Sequence, residues 1–230
     1  MYSDPTKYLY VIISKVKILI SIFLISQLFM TQGGFAMNEI QLPKPRIYKS
    51  LYLDQAIQQR RSVRSFKDKE LTLNQISQLL WAAQGITDPN RGLRSAPSAG
   101  ALYPLTIYLV KKDGIWRYNV NNHSIKLIVS GDLRKNLAQA ALGQSPIKEA
   151  SLSIVITADY KKITPKYRER GIRYTHIETG HTAQNLILEA VALGLSSVTI
   201  GAFYDERVKS LLNLPGDEVA LYIIPIGYKK

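Results

Sequence analysis

Two hydrophobic periods run through this chain, and the switch between them marks out its elements. In "TLNQISQLLWAAQG", Ile76, Leu79, Leu80 and Ala83 recur on one face at helical spacing. Thr72 precedes them with Gln75 three residues on, a capping box, and Gly85 closes the run. A longer stripe, Ala183, Leu186, Ile187, Ala190 and Val191, predicts the longest helix, from about Thr175 to Leu193 and ended by Gly194. Shorter helices are expected in "LYLDQAIQQR", from Leu133 to Leu142, and at "DERVKSLL". Runs rich in β-branched residues predict strands at "LTIYLV", "IWRYNV", "IKLIVS", "LSIVITAD", "SSVTIG" and "VALYIIPIG", with "NNHS" turning the second into the third as a hairpin. "QLPKPRIYKS" reads as a Pro-containing lead-in. Helices and strands are mixed and no repeat recurs, so the chain predicts an α+β fold: a sheet wrapped by helices.

The N-terminus follows a different pattern. Lys7, Lys15 and Lys17 precede "ILISIFLISQLFM", an uncharged run of 13 residues from Ile18 to Met30, and "TQGGFA" follows. A charged start, a short apolar run and small residues Gly34 and Ala36 predict a signal peptide over residues 1–36, cleaved after Ala36. The run is short for a spanning helix, which needs about 20 apolar residues. An uncleaved anchor and a true start at Met37 are the other readings. In all three the globular domain occupies residues 37–230. Export to the periplasm or the exterior follows from the first; membrane contact is expected only if the segment is retained, and a cytoplasmic protein follows from the third.

With 230 residues, 46% of them hydrophobic, the chain can bury one sizeable core. It has no cysteine, which excludes disulfides, thiolate nucleophiles and Cys-based metal sites. A formal charge of +13 points to an anionic partner: nucleic acid, an acidic membrane or a phosphorylated small molecule. "HIETGH" places His176 and His181 five apart, where a zinc helix needs four, so the segment reads as helix-start polar groups and no metal is expected. No G-x-S-x-G, G-x-G-x-x-G or P-loop occurs, which argues against a serine hydrolase, a Rossmann site and a nucleoside triphosphatase.

Two stretches carry chemistry. In "QQRRSVRSF", extended chain after Arg60 would set Arg60, Ser62 and Arg64 on one side, and two guanidinium forks with a hydroxyl suit a phosphate. In "RSAPSAGALYP", Pro97 and Pro104 stiffen a segment whose Ser98, Ala99 and Gly100 have almost no side chain. There a flat ring could lie against the backbone and meet its N–H groups. A charged surface turn and a tight loop before a strand are the plain alternatives.

In order, "RRSVRSF", "LLWAAQGI", "APSAGALYP", "KYRERGIRYTHIETGHTAQNLILEA" and "GAFYDE" resemble the SagB-type flavin dehydrogenases, a branch of the nitroreductase superfamily. The resemblance runs from about Leu51 to Gly227 and implies an FMN-binding α+β fold with a mostly antiparallel central sheet, in a domain-exchanged homodimer. It implies that Arg60, Arg61, Ser62 and Arg64 contact the FMN phosphate and ring edge. Pro97, Ser98, Ala99, Gly100 and Ala101 would line the ring from the partner subunit, and Ile200, Gly201 and Ala202 would border its reactive nitrogen. Lys166 and Tyr167 resemble the proton-transfer pair of azoline-oxidising relatives. The implied activity is two-electron hydride transfer to or from a small organic substrate, with NAD(P)H a candidate donor and no nucleic-acid partner. Ala101 and Tyr103 stand where broader nitroreductases usually carry Asn and Gln. Lys229 and Lys230 are the sole basic residues of the C-terminal tail available to a phosphate. A non-catalytic basic module for polyanions or anionic membrane is the alternative function.

Overall fold

The computed structural model describes residues 39–47 and 51–230, and the leader expected over residues 1–36 lies outside them. Among the described residues no helix is long and apolar enough to cross a membrane.

Seven strands form one sheet: β1 (Glu39–Gln41), β4 (Leu105–Lys111), β5 (Gly114–Asn119), β6 (Ser124–Ser130), β7 (Leu152–Ala158), β8 (Ser196–Ser197) and β9 (Val219–Gly227). Their order is β1-β6-β5-β4-β7-β9-β8, and every neighbouring pair is antiparallel. A separate two-stranded ribbon joins β2 (Ile86–Asp88) to β3 (Leu93–Arg94). The helices are α1 (Leu53–Gln59), α2 (Leu73–Gln84), α3 (Arg134–Ala140), α4 (Ser145–Glu149), α5 (Thr164–Tyr167), α6 (Arg170–Ala192) and α7 (Asp205–Leu211).

The sheet is buried on both faces, which explains why its central strands read as continuous apolar runs instead of alternating ones. Every residue of β7 is buried. One face, with Ile107, Leu109, Ile154 and Ile156, packs on Leu79 and Leu80 of α2 and Leu186 and Ile187 of α6. The other, with Tyr108, Val110, Val155 and Ile223, packs on Leu137 of α3, Ile147 of α4 and Val208 of α7.

Local signals acted as the pattern indicated. Thr72 accepts from the Gln75 N–H while the Gln75 side chain accepts from the Thr72 N–H, closing the capping box that starts α2. "VALYIIPIG" is β9 in full, and β5 and β6 form the hairpin across "NNHS". Three expectations change. The long helix begins at Arg170, five residues before Thr175, its first turns running through Arg170, Gly171, Ile172 and Arg173 ahead of the apolar stripe that marked it in the sequence. His176 and His181 therefore lie inside the helix and not at its start. "SSVTIG" contributes two strand residues and then a single bridge, Ile200 to Ile223, since the chain must leave the sheet before α7. Glu39–Gln41, too short to show a period, adds an edge strand just before the lead-in.

Candidate functional site

The chain after α1 leaves the helix at Arg60, whose φ of −56° and ψ of 123° are extended. Ser62 then bridges Ser197 in parallel and the Val63 N–H donates to the Ser197 carbonyl at 2.9 Å. Backbone pairing thus fixes "RRSVR" against β8. Arg60 and Ser62 open onto a cleft of about 200 Å³ whose other walls are Gly180 and Gln184 of α6, Thr199 and Tyr222. A second recess of about 260 Å³ shares Gly180 and Tyr222 and continues past His176 and Thr179 to Gly201. The two make one groove with a guanidinium and a hydroxyl at one end and a glycine backbone at the other.

Arg61 turns away, its guanidinium donating to the Gln58 and Arg60 carbonyls, and Arg64 is exposed and lines neither recess. Ile200 is buried in the core, with its N–H on the Ile223 carbonyl at 2.8 Å. Gly201 and Ala202 are exposed, and the Ala202 carbonyl accepts from Gln144 Nε2 at 2.9 Å. The C-terminal tail returns to this region: Phe66 bridges Lys229, and Lys230 pairs with Glu149 at 3.0 Å. That ion pair commits the Lys230 ammonium to a carboxylate.

The small-residue segment lies elsewhere. Gly100, Ala101 and Tyr103 have φ of 63°, 54° and 48°, left-handed values that are strained for the two non-glycine residues. A buried network holds them. Ser98 Oγ donates to Glu178 Oε2 at 2.6 Å and accepts from the Tyr103 N–H at 2.9 Å. Gln84 Nε2 donates to Thr182 Oγ1 at 2.8 Å and to Glu178 Oε1 at 3.4 Å, while Gln84 Oε1 accepts from Arg94 Nη1 at 3.1 Å. The Arg94 guanidinium also lies 4.3 Å over the Tyr103 ring. Burial pushes the Glu178 carboxyl up, against the pull of its Ser98 and Gln84 hydrogen bonds and the Arg94 charge. Burial pulls the Arg94 guanidinium down.

This network presents Pro97, Ala99, Gly100 and Ala101 as a ledge, with Pro97, Gly100 and Ala101 exposed. Lys166 and Tyr167 of α5 stand over it: a methyl group on Gly100 would come 2.8 Å from the Tyr167 hydroxyl and 2.9 Å from Lys166 Nζ. Arg168, at φ 51°, ends α5 and turns the chain into α6. The ledge and the Lys-Tyr pair therefore belong together within one chain.

The groove and the ledge do not. Ser62, Ser197, Ile226, Leu152 and Lys111 form one row across the sheet, four spacings from β4, and the ledge precedes Leu105 at the opposite end of that strand. Strand rise and spacing put Ser62 roughly 25 Å from Leu105. The groove's other end reaches the ledge's level, since Tyr222 pairs with Ile156 and Ile156 with Ile107. There α6 stands between them: Glu178 holds Ser98, while Gly180, about 200° further round the helix, lines the groove.

Pattern reasoning overlooked Glu178, Gln84, Gly180 and Tyr222. The signals existed: a carboxylate among buried positions of α6, and a glycine inside a long helix, where it is disfavoured by about 1 kcal/mol.

Residues 57–228 match the nitroreductase family. A Methanocaldococcus jannaschii protein named for nitroreductase activity is 41% identical over 197 residues, 83% of this chain and 96% of its own length. The trifolitoxin operon protein TfxC of Rhizobium leguminosarum bv. trifolii is 27% identical over 206 residues, 80% of this chain and 57% of TfxC. The NADPH-flavin oxidoreductase of Vibrio harveyi is 30% identical over 113 residues, 46% of this chain and 47% of that protein. A solved structure from Ralstonia eutropha JMP134, titled as a nitroreductase, superposes with a TM-score of 0.77 at 26% identity, covering 86% of this chain and 92% of its own. The chain belongs to the nitroreductase family and is a flavin-dependent oxidoreductase. TfxC is a SagB-type relative within that superfamily.

Proposed function

We propose that the chain binds FMN between two subunits of a homodimer and passes two electrons through it, from a donor of the NAD(P)H class to a small organic acceptor. The observation that carries this reading is the groove itself. Arg60 and Ser62 supply charge-assisted and neutral donors for a phosphate at one end. Gly180 leaves open space, with nothing within 4 Å of an added methyl group, where a flat ring must pass α6. Gly201 exposes backbone at the other end. The residues present thus fit a phosphorylated planar cofactor, and the bound flavin would supply the electron transfer.

The chain's own residues bind, orient and move protons. Arg60, with Arg64 of the same segment, holds the phosphate; the ledge from the partner subunit covers the ring and excludes water. Lys166 and Tyr167, poised over the ledge, donate or accept the proton that accompanies the electron pair at the substrate. Placement of ledge and groove on opposite faces of α6, at Glu178 and Gly180, favours assembly of each site from two chains. Exposed Tyr52, Leu53 and Ile57 on α1 and Ile172 and Ile177 on α6 offer apolar surface for that contact. Residues 1–36 support export, and N-terminal sequencing of the mature protein tests it: a start at residue 37 in the exported fraction is expected.

Flavin retention tests the central claim. Arg60→Ala/Arg64→Ala removes cations whose side chains support no core packing, so the protein should fold normally yet lose FMN affinity by a factor of about 10 or more. The wild type should purify yellow and the variant colourless. Equal flavin content in both would falsify the phosphate assignment.

A further inference from the structure

Strands β4 and β5 separate before either ends. They are in register from Lys111↔Gly114 to Tyr108↔Arg117 and no further. Leu105–Ile107 continue on β7 alone, and Tyr118 and Asn119 continue on β6 alone. A cavity of about 430 Å³ lies in the split, with both strand ends in its walls. That is the size of a small-molecule site. It shares no lining residue with the flavin groove.

The cavity is strongly cationic. Arg94 is half-buried in its wall, and Arg117, Lys126 and Lys162 also line it. Glu39 is the one carboxylate among the described lining residues; its Oε1 accepts from the Ser124 hydroxyl. None of the four cations forms an ion pair within 4 Å among the described residues. A second, independent feature points the same way. Arg117 and Lys126 are directly opposite each other in the β5–β6 register, an arrangement of like charges that destabilises a strand pair unless a counter-charge lies between them. Glu39 faces Lys126 from the other side, across β1, which leaves Arg117 uncompensated.

We infer that this split, which opens the sheet between its two faces, is a binding site for a small dianion, a molecule presenting two carboxylates or one phosphoryl group. Arg94 holds it on the α2 side, and Arg117 and Lys126 hold it on the other. Guanidinium forks match both oxyanions in geometry. The site is separate from the proposed flavin groove and does not depend on that reading.

Calorimetric titration of the purified full chain tests it, with malonate in one arm and inorganic phosphate in the other, at ionic strength held constant with chloride. Saturable one-to-one binding is expected in at least one arm, and the arm identifies the oxyanion. Arg117→Gln/Lys126→Gln changes two exposed side chains and should weaken that binding by a factor of about 10 or more. Arg60→Ala, in the groove, should leave it unchanged. Absence of saturable binding in both arms overturns the proposal. So does binding that survives Arg117→Gln/Lys126→Gln, or binding that Arg60→Ala removes.

Discussion

Glu178 shows how a single buried carboxyl can set a functional loop. It is 1% exposed and ties Ser98 of the ledge to Gln84 of α2, so the strained Ala101 and Tyr103 rest on one side chain. Since burial holds its folded-state pKa above the unfolded value, the native state binds more protons than the unfolded chain between those two values. Stability contributed at this position therefore falls as pH rises through that window and is fully present below the ordinary carboxylate range. Glu178→Gln is neutral throughout. Its amide oxygen can face Gln84 and its NH₂ can face Ser98 Oγ. Denaturant unfolding across pH should show the variant gaining on wild type from about pH 4 upward. A stability difference that does not vary with pH would sink the claim that the carboxyl is the titrating group. Glu178→Ala has another outcome: it leaves Ser98 and Gln84 short of a partner, and about 1–3 kcal/mol should be lost at all pH values.

At the scale of elements, α6 combines two demands that conflict at Gly180. As part of a 23-residue helix the position favours alanine; as a wall of the groove it favours no side chain at all. Gly180→Ala should stabilise the apo chain by about 0.5–1 kcal/mol, since its methyl meets open space. Gly180→Leu should retain a folded, helical protein while FMN binding is lost. Thermal melts with and without added FMN measure both, and an FMN-dependent rise in Tm for the leucine variant would contradict a ring passing this face. The same tension explains what was legible beforehand. Where one demand dominates, as in the capping box of Thr72 or the apolar run of β9, period and cap identify the element almost to the residue. The network under the ledge was not legible, because Glu178 is 80 residues or more from Gln84 and Ser98 in the chain and meets them through the packing of α2 on α6. The register break behind the cationic split was equally hidden, since "LTIYLV" and "IWRYNV" continue as good strand sequence past the point where they stop pairing.

On the proposed shared-site reading, the whole molecule presents half of two sites. The phosphate end of its groove lies at the opposite end of the sheet from its ledge, and where the groove comes level with the ledge the two lie on opposite faces of α6, at Gly180 and Glu178. Another copy would then supply the missing half, and a two-fold pair would complete two sites at once, as isologous contacts require. The exposed apolar surface is placed to do this. Leu53 and Ile57 are 67% and 56% exposed, one turn apart on α1, the helix that leads directly into "RRSVR". A contact made there would fix the phosphate end of the groove at the same moment that it seats the partner's ledge. Leu53→Asp/Ile57→Asp puts two carboxylates into that contact without touching the core or the groove. A stable dimer of typical size buries about 1,600 Å² in all, so two charges near its centre should shift the protein to monomer. Flavin should be lost in the same step. Sedimentation followed at the protein and flavin absorbances reads the two quantities together. A variant that sediments as a monomer and still carries flavin would show that one chain completes the site alone, and the shared-site reading would then be wrong whatever the phosphate ligands prove to be.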